Sequence, residues 1–157
     1  MAEKEQEILL LFRVQFKKGE VMTTQEYLGQ VEKYNRMIKN KLEDVGKLRA
    51  MATSITLSPK DVDVQKTTDK DKIGSVVVKI IDMEKDVDVL IDKRCRIINQ
   101  IESVSDQNMY EVLAQRYIKN IQPKSICIGK IGSERHIRRI LRAAETEFER
   151  MYGAEYM

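Results

Sequence analysis

Two apolar seams constrain this chain more than any other feature. Leu28, Val31, Asn35, Ile38, Leu42, Val45, Arg49 and Ala52 follow alternating steps of three and four. The same alternation runs through Ile73, Val76, Ile80, Met83, Val87, Leu90, Arg94, Ile97, Ile101 and Val104. That spacing lays a stripe along one side of a helix, whereas a half-buried strand needs a period of two. With two prolines and seven glycines in 157 residues, both stretches run without a strong breaker. An all-α chain follows, its two seams zipped into a long antiparallel, coiled-coil-like helical hairpin.

The polar residues refine this picture. Tyr27, Tyr34 and Leu48 widen the first stripe, and Lys33, Arg36, Lys39, Lys41, Glu43 and Asp44 are mostly left to water. Asn35, Arg49 and Arg94 interrupt the seams, where a polar side chain either fixes register or reaches past the partner helix. Thr23 or Thr24 can cap the first helix, with Glu26 in its first turn. Residues 53–72 are expected to form a long loop, with a short ordered piece around Leu57 to Val64 or a binding role as alternatives. Val77, Val78, Ile81, Val89, Ile91 and Ile98 exceed what one seam requires, which points to residues 1–21 or a second subunit as a further partner.

The domain reading is an N-terminal extension at 1–21, a helical hairpin at 22–105 and a C-terminal domain at 106–157. The extension holds a dense apolar run from Ile8 to Phe16 whose length leaves helix and strand open. Lys17 to Met22 can be encoded by a purine-rich string like a bacterial ribosome-binding site before an ATG, so Met22 is the expected natural start. Acids before the apolar run, Arg13 after it and its short length argue against a signal peptide or membrane span. Cys95 and Cys127 form no CxxC pair, so a disulfide framework and a zinc site are not indicated, and both are expected to be small buried or half-buried residues. A cytoplasmic protein in a reducing compartment is the simplest reading.

In the C-terminal part, Ser105-Asp106 offers a cap. Met109, Val112, Leu113, Tyr117 and Ile118 then give a short amphipathic helix that Asn120 can stop. A second short helix is expected from Pro123 through Ile128, since proline suits a first helical turn. Gly129 and Gly132 supply a turn, and the Ser133 hydroxyl is placed to cap a third helix. On that helix Ile137, Ile140, Leu141, Ala144 and Phe148 share one face. Arg135, Arg139 and Arg142 lie almost opposite, with Arg138 at their flank. Helix, helix, tight turn and basic helix is the helix-turn-helix plan, in which the last helix enters the major groove of DNA.

The net charge of +3 is too small to indicate nucleic acid by itself. Its distribution is more informative, because Arg116 to Arg142 contains eight basic residues and Glu134 as the only acid. Arginine can read guanine edges with two hydrogen bonds or clamp phosphate. Arg135 and Arg139 are the expected base readers; Arg138, Arg142 and Lys130 suit phosphate, and Ser133, Glu134 and His136 complete the DNA-facing set. His136 is the only histidine and is read equally well as a helix-flank residue. There is no Gly-rich phosphate loop, no HExxH and no acid pair set apart from helix-surface charge, so the chain is expected to be a non-enzyme without cofactor or metal.

Asp106 to Arg150, with Leu113-Ala114-Gln115-Arg116-Tyr117, Ser125-Ile126-Cys127 and Ser133 through Ile140, resembles the sigma-factor (sigma-70) region-four type of helix-turn-helix. More narrowly, the chain from Met22 to about Tyr152 resembles phage-encoded ArpU-type late transcriptional regulators. The residues that carry this likeness are Met22-Thr23-Thr24-Gln25-Glu26-Tyr27-Leu28, Leu48 through Thr56 and Val64-Gln65-Lys66-Thr67. Where that family has a Trp in its second helix this chain has Pro123, and its turn glycine is displaced to Gly132. The resemblance implies transcription regulation in a phage or prophage, double-stranded DNA as partner and host RNA polymerase as a further one. The alternative is a non-enzymatic helical module for protein–protein interaction or homodimerisation.

Overall fold

The computed structural model describes residues 21–57, 68–129 and 133–156. The expectations for the extension and for Lys130, Ile131 and Gly132 therefore lie outside the described residues, apart from the exposed Val21. Among the described residues the chain is helical with no strand. In order they form α1 (Thr24–Leu57), α2 (Thr68–Glu102), α3 (Gln107–Leu113), a π-helical turn (Ala114–Ile118), a 3-10 turn (Pro123–Ser125), α4 (Glu134–Tyr152) and a final 3-10 turn (Gly153–Glu155). The loop expected at 53–72 is helical at both ends, because α1 continues to Leu57 and α2 begins at Thr68; the expectations for residues 58–67 lie outside the described residues.

Helix α1 starts with a reciprocal cap. The Thr23 backbone N–H and hydroxyl both donate to Glu26 Oε2 at 2.9 Å, and Thr23 Oγ1 accepts from the Glu26 N–H at 3.3 Å. These bonds satisfy donors that a helix start leaves orphaned. The backbone N–H bond, reinforced by the hydroxyl, holds the Glu26 carboxyl below its ordinary pKa.

Cross-hairpin contacts establish that α1 and α2 run antiparallel. Tyr27 Oη donates to Gln100 Oε1 at 2.8 Å, Arg94 Nη1 to Asn35 Oδ1 at 2.9 Å, and Lys41 Nζ to Asp86 Oδ2 at 2.7 Å; Arg49 pairs with Glu84 further out. The partner number falls as the α1 number rises. Two of the seam interruptions, Asn35 and Arg94, thus meet each other, which ties register to a polar contact.

One column of the first seam is shifted from the sequence reading. Val31, Ile38 and Val45 are buried, but the column between them is Tyr34, Lys41 and Leu48 rather than Asn35, Leu42 and Arg49. Tyr34 is 6% exposed whereas Leu42 is 51% exposed. Two adjacent columns fit a heptad equally well, and Tyr34 buries far more apolar surface than Asn35. Lys41, expected in water, is half-buried; its aliphatic stem covers the seam while the ammonium reaches Asp86.

The second seam follows its expected phase. Val87, Leu90, Ile97, Ile101 and Val104 are buried, and Ile73, Val76, Ile80 and Met83 toward the far end are half-buried. The difference has a simple cause. The near end of the hairpin shares one hydrophobic core with the C-terminal helices, including Val112, Leu113, Ile137, Ala144 and Phe148, whereas the far end has only its own two helices. Each fully buried side chain of this core, such as Leu28, Ile101 or Phe148, contributes about 1.5–3 kcal/mol.

Candidate nucleic-acid interface

The C-terminal elements are built to hold α4. Asp106 Oδ1 accepts from the Met109 N–H at 2.9 Å and caps α3, which buries Val112 and Leu113. The helix then widens into a π-helical turn, with Lys119 N–H donating to Ala114 O at 3.0 Å, and ends at Asn120, which adopts φ +55°. Asparagine tolerates that left-handed conformation through local side-chain bonding. Tyr117 lies in the widened turn and points into the core.

The expected second helix from Pro123 to Ile128 is replaced by a single 3-10 turn at Pro123–Ser125 followed by extended backbone. Ile126 and Ile128 are buried and Cys127 between them is exposed, a period-two pattern that β-branched residues favour. The exposed Cys127 also departs from the burial expected of it. Gln115 fixes the segment. Its Nε2 donates to Cys127 O at 2.8 Å and its Oε1 accepts from the Cys127 N–H at 3.4 Å, so a side-chain amide pairs both backbone groups as a neighbouring strand would. Gly129, at φ +53°, then turns the chain away.

Ser133 occupies the N-cap position of α4, but by backbone alone. Its carbonyl accepts from the His136 and Ile137 N–H groups at 3.0 Å, and its hydroxyl makes no capping bond. Along α4, Ile137, Leu141, Ala144 and Phe148 are buried, while Arg135, Arg138, Arg139 and Arg142 are exposed. The four arginines span about 10 Å of helix at 1.5 Å per residue.

Their partners differ. Glu134 Oε1 accepts from Arg138 Nε at 2.9 Å and Nη2 at 2.7 Å, which neutralises that guanidinium within the helix. Arg139 Nη2 lies 3.0 Å from Nδ1 of the half-buried His136, so the imidazole offers its lone pair there and orients the arginine. The guanidinium groups of Arg135 and Arg142 have no hydrogen-bond or ion-pair partner among the described residues. Of the remaining basic block, Lys119 and Lys124 are exposed, and Arg116 is half-buried with its guanidinium 5.6 Å from the Tyr117 ring centroid.

The second half of α4 carries the acids Glu145, Glu147 and Glu149, and two of them, Glu145 and Glu149, bond to residues of α1. Glu145, read from sequence as surface charge, is 8% exposed. It accepts from Tyr117 Oη at 2.6 Å and from Gln25 Nε2 at 2.9 Å. Glu149 accepts from Thr24 Oγ1 at 3.3 Å, and beyond the helix Glu155 accepts from Gln100 Nε2 at 2.8 Å and Arg96 Nη2 at 3.0 Å. Tyr156 stacks on Tyr27 with centroids 4.3 Å apart. The signal for Glu145 was present in the sequence: it follows Leu141 by one turn and so lies on the margin of the apolar face. A cleft of about 290 Å³, lined in part by Arg116, Asn120, Leu141 and Glu145, lies beside it.

Among the described residues, no group of His, Cys, Asp and Glu could hold a metal ion, and no helix is long and apolar enough to cross a membrane. No protein-family model matches the chain, and no curated protein or solved structure matches it either.

Proposed function

We propose that this chain is a DNA-binding transcriptional regulator of a phage or prophage, acting in the bacterial cytoplasm without catalysis, with the first half of α4 as the element that contacts duplex DNA. The carrying observation is the set of four exposed arginines on one rigid helix, two of them with guanidinium groups unpartnered among the described residues. Helix stability does not call for them: a helix N-terminus is already positive, and cations there gain nothing from the macrodipole. An anion gains from both the arginines and the dipole. The resemblance of Asp106 to Arg150 to sigma-factor region four, and of Met22 onward to the ArpU-type regulators, supplies the transcriptional part and makes host RNA polymerase a candidate partner. In this reading Arg135 and Arg139 address bases, Arg142 and Lys130 address phosphate, and Arg138 joins them once released by Glu134. On the same reading the extended segment at Ile126–Ile128, pinned by the Gln115 amide, takes the place of a helix-turn-helix second helix in supporting α4.

Salt-dependent binding to a random duplex pool tests the proposal. Engagement of three phosphates, by Lys130, Arg138 and Arg142, gives a slope of log K against log salt of about −3. Arg135→Ala with Arg139→Ala is expected to weaken binding by at least about 30-fold, at roughly 1 kcal/mol or more for each guanidinium. Wild-type affinity in that folded double variant would remove α4 as the DNA contact. A second reading, a protein-interaction module, is favoured by the exposed Val77, Val78, Ile81 and Val89. It would gain if the chain ignored DNA at low salt yet formed a stable complex with another protein.

A further inference from the structure

Helix α2 has a second apolar face that α1 does not touch. At about 100° per residue, Val77, Val78, Ile81 and Val89 project roughly opposite the seam of Ile80, Met83, Val87 and Leu90. Their exposures are 44%, 59%, 45% and 47%. The face lies on the far half of the hairpin, where the seam itself is only half-covered from Ile73 to Met83. Apolar surface on both sides of a helix calls for cover on both sides.

We propose that a second copy of this chain covers this face, its α2 lying antiparallel to the first about a two-fold axis passing between Met83 and Glu84. The charges select this occupant. In that register Val78 stands level with Val89 of the copy, and Lys85 stands level with Asp82 of the copy, each contact occurring twice by symmetry. All four residues lie on the same flank of the stripe, and a two-fold axis perpendicular to antiparallel helices brings like flanks together. Asp82 and Lys85 are both exposed, and neither forms an ion pair among the described residues. The register that aligns valine with valine therefore also aligns acid with base. The contact between Val78 and Val89 extends over about 17 Å of helix, less than a standard stable interface requires. The dimer is accordingly one that dissociates on dilution, with a dissociation constant on the order of micromolar. It needs no DNA, so a monomeric result would leave the DNA proposal standing.

Sedimentation equilibrium of the full chain, from about 1 to 200 µM, tests this directly across the expected range. Wild type is expected to show a monomer–dimer equilibrium. Ile81→Lys should raise the dissociation constant by about 100-fold or more, since each dimer loses two apolar contacts and gains two buried charges. Asp82→Lys and Lys85→Asp should each weaken it by about tenfold through like-charge opposition, and the double exchange should restore it to within about threefold. Helicity by circular dichroism verifies that each variant folds. A monomer at every concentration, or a dimer indifferent to Ile81→Lys, would overturn the proposal. Failure of the double exchange to restore association would also overturn it and turn attention to residues 1–21 or another protein as the covering partner.

Discussion

Replacing Tyr117 by Phe removes one oxygen atom from the core and leaves the ring in place, so no cavity complicates its effect. The lost bond is the 2.6 Å donation from Tyr117 Oη to Glu145 Oε1; Gln25 continues to serve Oε2 at 2.9 Å. A buried acceptor left without its donor costs about 1–3 kcal/mol, and the carboxyl group places this case near the middle, about 2 kcal/mol at neutral pH. The alkaline limb provides an independent signature. Burial first, and the hydrogen bond to Glu145 second, hold the Tyr117 phenol well above the ordinary tyrosine range. Above pH ~10 the unfolded chain releases this proton while the folded chain keeps it, so the folded state binds more protons and stability falls as pH rises. The contribution is complete below that pH and is lost at about 1.4 kcal/mol per pH unit until the folded phenol ionises. Urea unfolding followed by far-UV circular dichroism at neutral pH and through the alkaline range reads both effects. The Phe variant should be less stable at neutral pH and have a shallower alkaline limb, with Tyr27, Tyr34 and Tyr156, whose phenols burial also raises, supplying the slope that remains. A variant within about 0.5 kcal/mol of wild type at neutral pH, with a parallel alkaline limb, would show that the Tyr117–Glu145 contact does not organise the core.

Three further outcomes are expected. Arg94 has its Nε buried without a hydrogen-bond partner among the described residues, so Asn35→Leu with Arg94→Leu should stabilise the hairpin by about 1–3 kcal/mol in urea unfolding; a loss of stability would mean the polar pair is worth more than its desolvation. Thr23→Ala breaks the reciprocal cap of α1 and should cost about 1 kcal/mol, while acidification below the ordinary carboxylate range should weaken the same cap because the Glu26 pKa is lowered in the fold. An unchanged melting temperature would count against that cap. Gln115→Ala should speed hydrogen exchange of the Cys127 amide by about tenfold or more, and unchanged protection would show that the extended segment is held by Ile126 and Ile128 alone.

The sequence carried the helices and their polarity well because a heptad repeat states a period without ambiguity. It left the phase of one column open. Tyr34 and Asn35, Lys41 and Leu42, and Leu48 and Arg49 are neighbours on adjacent columns, and packing against α2 turned the first of each pair inward, leaving even the apolar Leu42 exposed. The segment after Pro123 departs from the expected helix for a different reason. A proline suits a helix start, but Ile126, Cys127 and Ile128 prefer extended backbone, and the partner that secures them, Gln115, lies in another element. Long-range amides of this kind leave no local pattern. The arginine face of α4 was readable from periodicity, whereas the engagement of Arg138 by Glu134 turned on rotamers that spacing alone leaves open.

The division of charge along α4 links the fold to the proposed function. Glu145, Glu149 and Glu155 are each bonded to a residue of the hairpin helices, namely Gln25, Thr24 and the pair Arg96 and Gln100. Phe148 is fully buried between them, with Tyr27 and Tyr156 rings nearby. The acidic half and the tail are thus spent on anchorage, and a helix anchored at one end aims its other end. Ile137 and Leu141 hold the basic half down on the core while Arg135, Arg139 and Arg142 face out. A ligand that meets such a face loses little to backbone ordering, because only side-chain rotamers remain to be fixed. The Glu134–Arg138 pair is more than half open on its arginine side, so exchanging it for a phosphate contact costs on the order of 1 kcal/mol or less. Weakening the anchor should therefore impair the basic face at a distance: Glu155→Ala, well beyond Arg142 and the rest of the DNA-facing arginines, is expected to reduce DNA affinity by loosening α4 while leaving the salt slope, which counts phosphates, unchanged.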